Sequence, residues 1–345
     1  MDPATHAVFG ALASRAVSGP STTTNNNFGI YFPLVVTTVA ATLPDIDYLL
    51  FPLDPLTFLA EWHRTYSNSI VLLPFWTLLL TGIIVLLFPR LRKHSFMIGG
   101  FVALGIGSHI LLDLLTVYGT RLFFPLSDNK FTLGTTFIID PCISLVIFIG
   151  LVASFFRAPR IIAIVTIILV CVYVLFQWQL KNIQKEVWDK AGYETIVLPQ
   201  PYSPFHFRII NRENNHYKTA LVDYLGISEK LQRWEGTIPF IEQVSAFRSS
   251  RNIRWETWSL FGETPEHRTL ARTVWNHNEM ALYRDFALYP ALYRVEENNG
   301  ETCVWFSDLR YHISIMTPSF RYGMCREDNN EWKRYRLKYF SEERE

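Results

Sequence analysis

The sequence predicts a polytopic α-helical membrane domain at residues 1–178, followed by a soluble, mainly antiparallel β domain of the α+β class at residues 179–345. The first of three observations behind this prediction is uneven charge: residues 1–178 hold 9 Lys or Arg and 8 Asp or Glu, whereas residues 179–345 hold 23 of each. The other two are long apolar runs in the first half and β patterns in the second. The split excludes a single soluble globule, and the net charge of +1 argues against nucleic-acid binding.

Six apolar runs in the first half predict about five to six membrane helices. They are residues 4–17, 28–43, 69–88, 96–118, 136–156 and 161–178. The last four have about the length needed to cross roughly 30 Å of hydrocarbon. The run at 28–43 is shorter, and the run at 4–17 predicts a tilted or partly inserted helix. That first run lacks the basic start and cleavage pattern of a signal peptide, so we expect it to be retained.

Short basic loops predict how these helices are oriented. The loops at residues 89–95 and 156–161 carry Lys and Arg, which favours the cytoplasmic side. Alternation then places residues 43–69 and 119–135 outside, together with the C-terminal domain. The sequence therefore predicts a multi-pass protein whose C-terminal domain is extracytoplasmic.

The second half has the patterns of short β-strands separated by turn residues. The clearest segments are residues 205–210, 217–224, 302–314 and 320–336. The first two flank a polar segment and predict a hairpin. Cys303 and Cys325 fall on neighbouring predicted strands, where an oxidising compartment would allow a disulfide. The sequence supplies no Cα separation, so a disulfide and two free thiols both stay open.

Two ionisable residues interrupt the apolar run at 96–118. His109 and Asp113 are four residues apart, so on a helix they share one face, one turn apart. A carboxylate inside a membrane span is costly unless a cation or a strong partner compensates it. Metal coordination would meet that need, and so would a His–Asp hydrogen bond that holds helices together.

Further ionisable residues lie near the ends of the other runs. Asp45 and Asp47 end the first full span, and two carboxylates at this spacing suit a divalent cation such as Zn²⁺ or Mn²⁺. Taken singly, each has an ordinary explanation, such as a solvated turn or a carboxylate that favours a helix start. The predicted orientation nevertheless places the whole set at one depth near the outer surface, which favours one shared site. The set is His6, Asp45, Asp47, His63, His109, Asp113 and Asp140.

These residues fall in ordered motifs. The motifs are Thr5-His6 with Gly10, Leu43-Pro44-Asp45-Ile46-Asp47, His63-Arg64, and His109-Ile110-Leu111-Leu112-Asp113 followed by Tyr118-Gly119-Thr120, Pro125 and Asp140-Pro141. In this combination residues 1–160 resemble the YdjM-like family of membrane-bound, metal-dependent hydrolases, which are LexA-regulated in bacteria. Family members often carry a second histidine where this sequence has Asn68. The extra outer domain at residues 179–345 looks like that of a longer subgroup.

The resemblance implies a metal-dependent hydrolase of the bacterial inner membrane with a divalent metal, Zn or alternatively Mn. The implied metal ligands are His6, Asp47, His63, His109 and Asp113. Asp45 would act as a further ligand or as a base, Arg64 would hold an anionic substrate oxygen, and Asp140 would orient a ligand histidine. The order of His and Asp is also similar to part of the metal site of zinc-dependent phospholipase C enzymes. That similarity suggests a phospholipid ester or phosphodiester as substrate, with membrane lipids as partners.

Two alternatives stay open at this stage. In the first, the protein is not an enzyme: the polar residues join the helices, and the C-terminal domain binds an envelope component. In the second, the buried His and Asp relay ions through a transporter. The acidic residues cluster on one side rather than at the midplane, and no inverted repeat is visible, so the transporter is the weaker alternative.

Overall fold

The structure, a computed structural model, describes residues 1–18, 31–189, 192–234, 236, 238–298, 300–327, 330–339 and 341–345. It divides the chain into two compact units, Met1–Gln179 and Leu180–Glu345.

The first unit is helical, as the sequence predicts. Its helices are α1 (Pro3–Val17), α2 (Phe32–Thr42), α3 (Leu73–Leu87), α4 (Ser95–Leu115), α5 (Pro141–Ala153) and α6 (Pro159–Trp188), of which the last runs on into the second unit. A 3₁₀ segment, Leu43–Leu50, extends α2, and another, Pro89–His94, precedes α4. A short helical turn at Pro55–Thr57 leads into a π-helical turn at Phe58–Trp62. Within the predicted run at 28–43, residues 28–30 lie outside the described residues.

Among the described residues, three stretches are long and apolar enough to cross a membrane: Phe32–Leu50, Pro89–Leu115 and Pro159–Trp188. Two further apolar helices, Leu73–Leu87 and Pro141–Ala153, are shorter. The helix starts follow from local chemistry. Asp140 accepts hydrogen bonds from the backbone at the start of α5, and Pro141 occupies the first turn, where its missing N–H costs nothing.

The second unit contains two four-stranded antiparallel sheets, which confirms the predicted α+β layout. The first sheet has the order β1 (Glu194–Pro199), β2 (His206–Glu213), β3 (His216–Asp223) and β4 (Glu256–Ser259). The second has the order β5 (Pro290–Asn298), β6 (Glu301–Asp308), β7 (Tyr322–Glu327) and β8 (Lys333–Arg336). Helices α7 (Pro239–Ser245), α8 (Pro265–Trp275) and α9 (Ala281–Phe286) and the 3₁₀ turns Ser228–Trp234, Asn278–Met280 and Leu309–Tyr311 connect the strands.

The predicted hairpin is β2 and β3, which pair from His206↔Asp223 to Glu213↔His216. Asn214 turns the chain with a φ of 53°, a left-handed conformation that Asn tolerates better than most residues. In the second sheet Cys303 lies opposite Cys325 and the two form a disulfide. The β-like run at 302–314 ends as a strand at Asp308, because the Asp308 side chain accepts a hydrogen bond from the Arg310 backbone N–H and starts a 3₁₀ turn.

Candidate metal centre

A close crossing of three helices brings two histidines together. Gly10 on α1 and Gly105 on α4 both pack against α2: an added Cβ would lie 2.5 Å from the Ala41 Cβ at Gly10 and 2.6 Å from a backbone oxygen at Gly105. Small residues permit such approach between membrane helices. His6 stands one turn before Gly10, and His109 one turn after Gly105, so the crossing stacks their rings with centroids 3.7 Å apart.

Asp113 lies between these two histidines and is fully buried. One of its carboxylate oxygens is 3.2 Å from the His6 Nε2, and the other is 3.2 Å from the His109 Nε2. The three side chains each offer a ligand atom within 4.8 Å of the others. The i,i+4 pair predicted from the sequence is therefore joined by a histidine from another helix.

The backbone fixes the tautomer of His109. Its Nδ1 lies 2.8 Å from the carbonyl oxygen of Ala41, which can only accept, so Nδ1 carries the proton and donates it. Nε2 is then a lone pair, and it faces carboxylate oxygens of Asp113 at 3.2 Å and Asp45 at 3.7 Å. Acceptors aimed at one another repel, so this arrangement calls for a cation between them, either a metal ion or a second proton on His109.

A second group of candidate ligands adjoins the first. Asp45, Asp47 and His63 also each offer a ligand atom within 4.8 Å of the others. The His63 Nδ1 is 3.1 Å from an Asp47 oxygen, and its Nε2 is 3.4 Å from the Tyr48 hydroxyl. Asp45 joins the two groups, because its Oδ1 faces His109.

The donor atoms of these groups fit a divalent metal. Among the described residues, the His6 Nδ1, the His109 Nε2 and the Asp45 Oδ2 are buried without a hydrogen-bond partner. Buried polar atoms are normally hydrogen-bonded, and each exception calls for an explanation. Imidazole nitrogens and carboxylate oxygens are ordinary zinc ligands, and a ligating histidine normally donates its other N–H to a carbonyl or carboxylate, as His109 does to Ala41.

Arg64 reaches the same carboxylate from another direction. Its Nη2 is 2.8 Å from Asp113, and its Nη1 donates to the Thr116 hydroxyl at 2.6 Å. The guanidinium also lies 4.9 Å from the ring centroid of Tyr118. Arg64 has a φ of 57°, an uncommon conformation for a residue with a side chain. The chain therefore holds a positive group, buried and oriented, beside the candidate ligands.

Two contacts to Asp113 were not anticipated from the sequence. Asn68, which replaces the second histidine of the family motif, donates from its side-chain nitrogen to Asp113 at 2.6 Å. The amino group of Met1 also donates to Asp113. The position of Asn68 in the family motif was a usable signal, but a backbone group such as the Ala41 carbonyl leaves no mark in a sequence.

Asp140 caps the start of α5. Its Oδ1 accepts from the backbone N–H groups of Cys142 and Ile143, and the Tyr173 hydroxyl donates to its Oδ2 at 3.1 Å. The N-cap position before Pro141 explains these backbone bonds, because the carboxylate satisfies the free N–H groups of the first turn. Among the described residues no histidine forms a hydrogen bond with Asp140, and its expected role in orienting a ligand histidine stays a prediction.

Comparisons with known proteins identify a family for the N-terminal half of the chain. The family described as "YdjM inner membrane protein" matches residues 1–183. The uncharacterized protein YfhP of Bacillus subtilis (strain 168) is 27% identical over 145 residues, which are 41% of this chain and 43% of that protein. The chain thus matches less than half the length of this relative, and no solved structure matches. Because the family match covers more than half of the 345 residues, the chain belongs to the YdjM inner membrane protein family.

Proposed function

We propose that this chain is a membrane-bound, metal-dependent hydrolase whose metal is Zn²⁺, with Mn²⁺ as the alternative. One observation carries the proposal: the Nε2 of buried His109 faces the carboxylates of Asp45 and Asp113, with no hydrogen-bond partner among the described residues, while its Nδ1 donates to the Ala41 carbonyl. His6, His109 and Asp113 would hold the metal, and Asp45 would act as a further ligand or as a base. His63 and Asp47 form the adjoining group and would complete or extend the site.

A divalent metal bound there would lower the pKa of a bound water and polarise the bond to be cleaved. The chain's own residues supply the rest. Asp45 has a buried Oδ2 without a hydrogen-bond partner among the described residues, so it is placed to accept a proton from water. Arg64, fixed by Asp113 and Thr116, is placed to bind an anionic oxygen through its fork of N–H donors.

The proposed substrate is a phospholipid ester or phosphodiester at the outer face of the inner membrane. Two observations support the outer side. The basic loops at residues 89–95 and 156–161 favour the cytoplasm, and the Cys303–Cys325 disulfide fits an oxidising compartment. The C-terminal unit would then be extracytoplasmic, where it would bind an envelope component.

The deciding experiment is the metal content of the intact protein. The protein is purified in mild detergent without chelators or a His-tag and assayed by plasma mass spectrometry beside the His109→Ala/Asp113→Ala double variant. We expect one or more equivalents of Zn or Mn in the wild type and a loss of at least tenfold in the double variant. His267→Ala, at an exposed position of the C-terminal unit, is the control and should retain the wild-type metal content.

A second hypothesis, a non-enzymatic function, is supported by one specific contact. The Arg64 guanidinium at 2.8 Å already compensates the charge of Asp113, and Asn68 adds a hydrogen bond, so the cluster can be stabilised without a metal. In that case the protein is a non-enzymatic envelope protein, and His109 is doubly protonated. Absence of metal from the wild type, even after incubation with Zn²⁺ or Mn²⁺, would establish this reading and overturn the hydrolase.

A further inference from the structure

An apolar groove of about 660 Å³ adjoins the second ligand group. The 3₁₀ segment Leu43–Leu50 forms one wall, with Leu49 and Leu50, and α3 forms another, with Leu79 and Ile83. Asp47 is the one charged residue of the lining. We propose that this groove binds one acyl chain of a membrane phospholipid, with the polar head directed toward Asp47; the inference rests on the proposed function, which it deepens by locating the site of the acyl chain.

The groove is continuous with the candidate metal centre through Asp47. The same side chain that lines the groove lies 3.1 Å from the Nδ1 of His63, and both belong to the second ligand group. Ser67 lies in the same lining, three residues after Arg64 in the sequence. The groove therefore has a polar end at the ligands and an apolar remainder. An amphiphile fits this polarity, and a wholly polar metabolite does not.

The dimensions of the groove are those of a small-molecule pocket. Along α3 it extends at least from Trp76 to Ile83, seven residues or about 10 Å of helix axis. Its volume lies within the range of small-molecule pockets, about 300–1,000 Å³.

The surrounding elements identify the source of the occupant. Leu43–Leu50 closes a stretch long and apolar enough to cross a membrane, and α3 is itself an apolar helix. Neighbouring positions on α3 that do not line the groove, such as Leu78, are strongly exposed, as lipid-facing residues are. A phospholipid can thus place one chain in the groove and the other in the bilayer, which sets its ester and phosphate bonds at the polar end.

Two neighbouring residues of α3 provide a matched test. Leu79 lines the groove and is 41% exposed, whereas Leu78 is 74% exposed and lies outside the lining. In Leu79→Trp the indole fills the groove; in Leu78→Trp the same change faces lipid. Each variant of the full chain is reconstituted in vesicles of phosphatidylethanolamine and phosphatidylglycerol that contain phosphatidylglycerol with a diazirine at the end of one acyl chain. After irradiation, labelling of the peptide containing Leu49 and Leu50 is measured by mass spectrometry.

We expect at least a fivefold loss of labelling in Leu79→Trp and less than a twofold change in Leu78→Trp. Ile83→Trp with Leu86→Trp as its control repeats the comparison, in case Leu79→Trp fails to fold. Equal labelling in wild type and both groove variants would show that the acyl chain does not bind in the groove. Labelling by a diazirine fatty acid but not by the phospholipid would contradict the proposal that the occupant is a phospholipid. Metal content is measured on the same samples and should not change in Leu79→Trp, so loss of the metal site and loss of the groove are separate results.

Discussion

The membrane unit (Met1–Gln179) and the C-terminal unit (Leu180–Glu345) both bury histidines and carboxylates, but they differ in whether these side chains have hydrogen-bond partners. In the C-terminal unit, both ring nitrogens of His206 have serine partners at 2.7 Å, Ser203 and Ser228. In the membrane unit, the His109 Nε2 faces carboxylates at 3.2 and 3.7 Å without a hydrogen bond among the described residues. Buried polar side chains whose hydrogen bonds are all made within the protein are explained by their contribution to stability alone. A set left with lone pairs aimed at one another needs a cation between them, either a metal ion or a further proton.

The carboxylates show the same contrast. Asp308, buried in the C-terminal unit, forms an ion pair of 2.7 Å with Arg310 and accepts backbone bonds from Arg310 and Leu288. Asp45 has one buried oxygen with no such bond among the described residues. Across the described residues, every histidine or carboxylate atom that is buried without a hydrogen bond belongs to the membrane unit: His6 Nδ1, Asp45 Oδ2 and His109 Nε2. Incomplete bonding, rather than burial, therefore marks the functional candidate.

The largest expected effect comes from removing Asp308, whose hydrogen bonds and ion pair in the C-terminal unit are complete. Asp308→Ala should lower the free energy of unfolding of the C-terminal unit by roughly 3–5 kcal/mol, because Arg310 is left buried without its counter-charge. Hydrogen exchange of peptides from β6 in the full-length protein measures this loss. Glu343→Ala, in an exposed ion pair with Lys338, is the control and should leave exchange in β6 unchanged. A similarly small effect for Asp308→Ala would remove the contrast between the units.

Loss of the disulfide should have the second-largest effect, again in the C-terminal unit. The bond between Cys303 and Cys325 closes a loop with a sequence separation of 22. Loop entropy predicts that Cys303→Ser/Cys325→Ser destabilises this unit by about 3 kcal/mol, which urea unfolding of the full chain would measure. Cys142→Ser, at a free cysteine of the membrane unit, is the matched control. If a thiol reagent labels both Cys303 and Cys325 in the unfolded wild type without reductant, the thiols are not joined and the support for an extracytoplasmic location is lost.

Removing the metal should affect the membrane unit alone. If the free metal concentration is 100 times the dissociation constant, binding contributes about 2.7 kcal/mol. A chelator should therefore speed hydrogen exchange in peptides of α4 that contain His109 and leave β6 unchanged. In His109→Ala the chelator should have no effect. Equal acceleration in both units, or in neither, would contradict a metal held at this cluster.

The sequence predicted the layout because hydropathy and β patterns are local properties. Helix ends were less accurate, since capping groups decide them. The run at 69–88 begins as a helix only at Leu73, because the Ser69 hydroxyl accepts from the backbone of Val71 and Leu72 and donates to the Phe124 carbonyl. The His109–Asp113 pair was visible from its spacing. The Ala41 carbonyl that fixes the His109 tautomer was not, because helix crossings determine it.

The smallest expected effect is a pH dependence of the C-terminal unit. Burial holds the pKa of His312 well below its usual value, and the nearby charges of Arg208 and Arg321 lower it further. The unfolded chain, with a histidine pKa of about 6.5, then binds more protons than the folded one at acidic pH. Stability should be level above about pH 6.5 and fall below it, by at most about 1.4 kcal/mol per pH unit for each proton taken up.

His312→Gln should make this acid dependence shallower but not abolish it, because burial also lowers the pKa of His206 in the same unit. His216→Gln, at an exposed position of β3, should preserve it. Urea unfolding of the full chain between pH 5 and 8 provides the measurement. A fall in stability on the alkaline side of pH 6.5 that is absent from His312→Gln would mean that His312 gains a proton on folding. His312 would then be a buried, charged histidine in the C-terminal unit. Incomplete hydrogen bonding would in that case no longer distinguish a ligand site from a structural cluster.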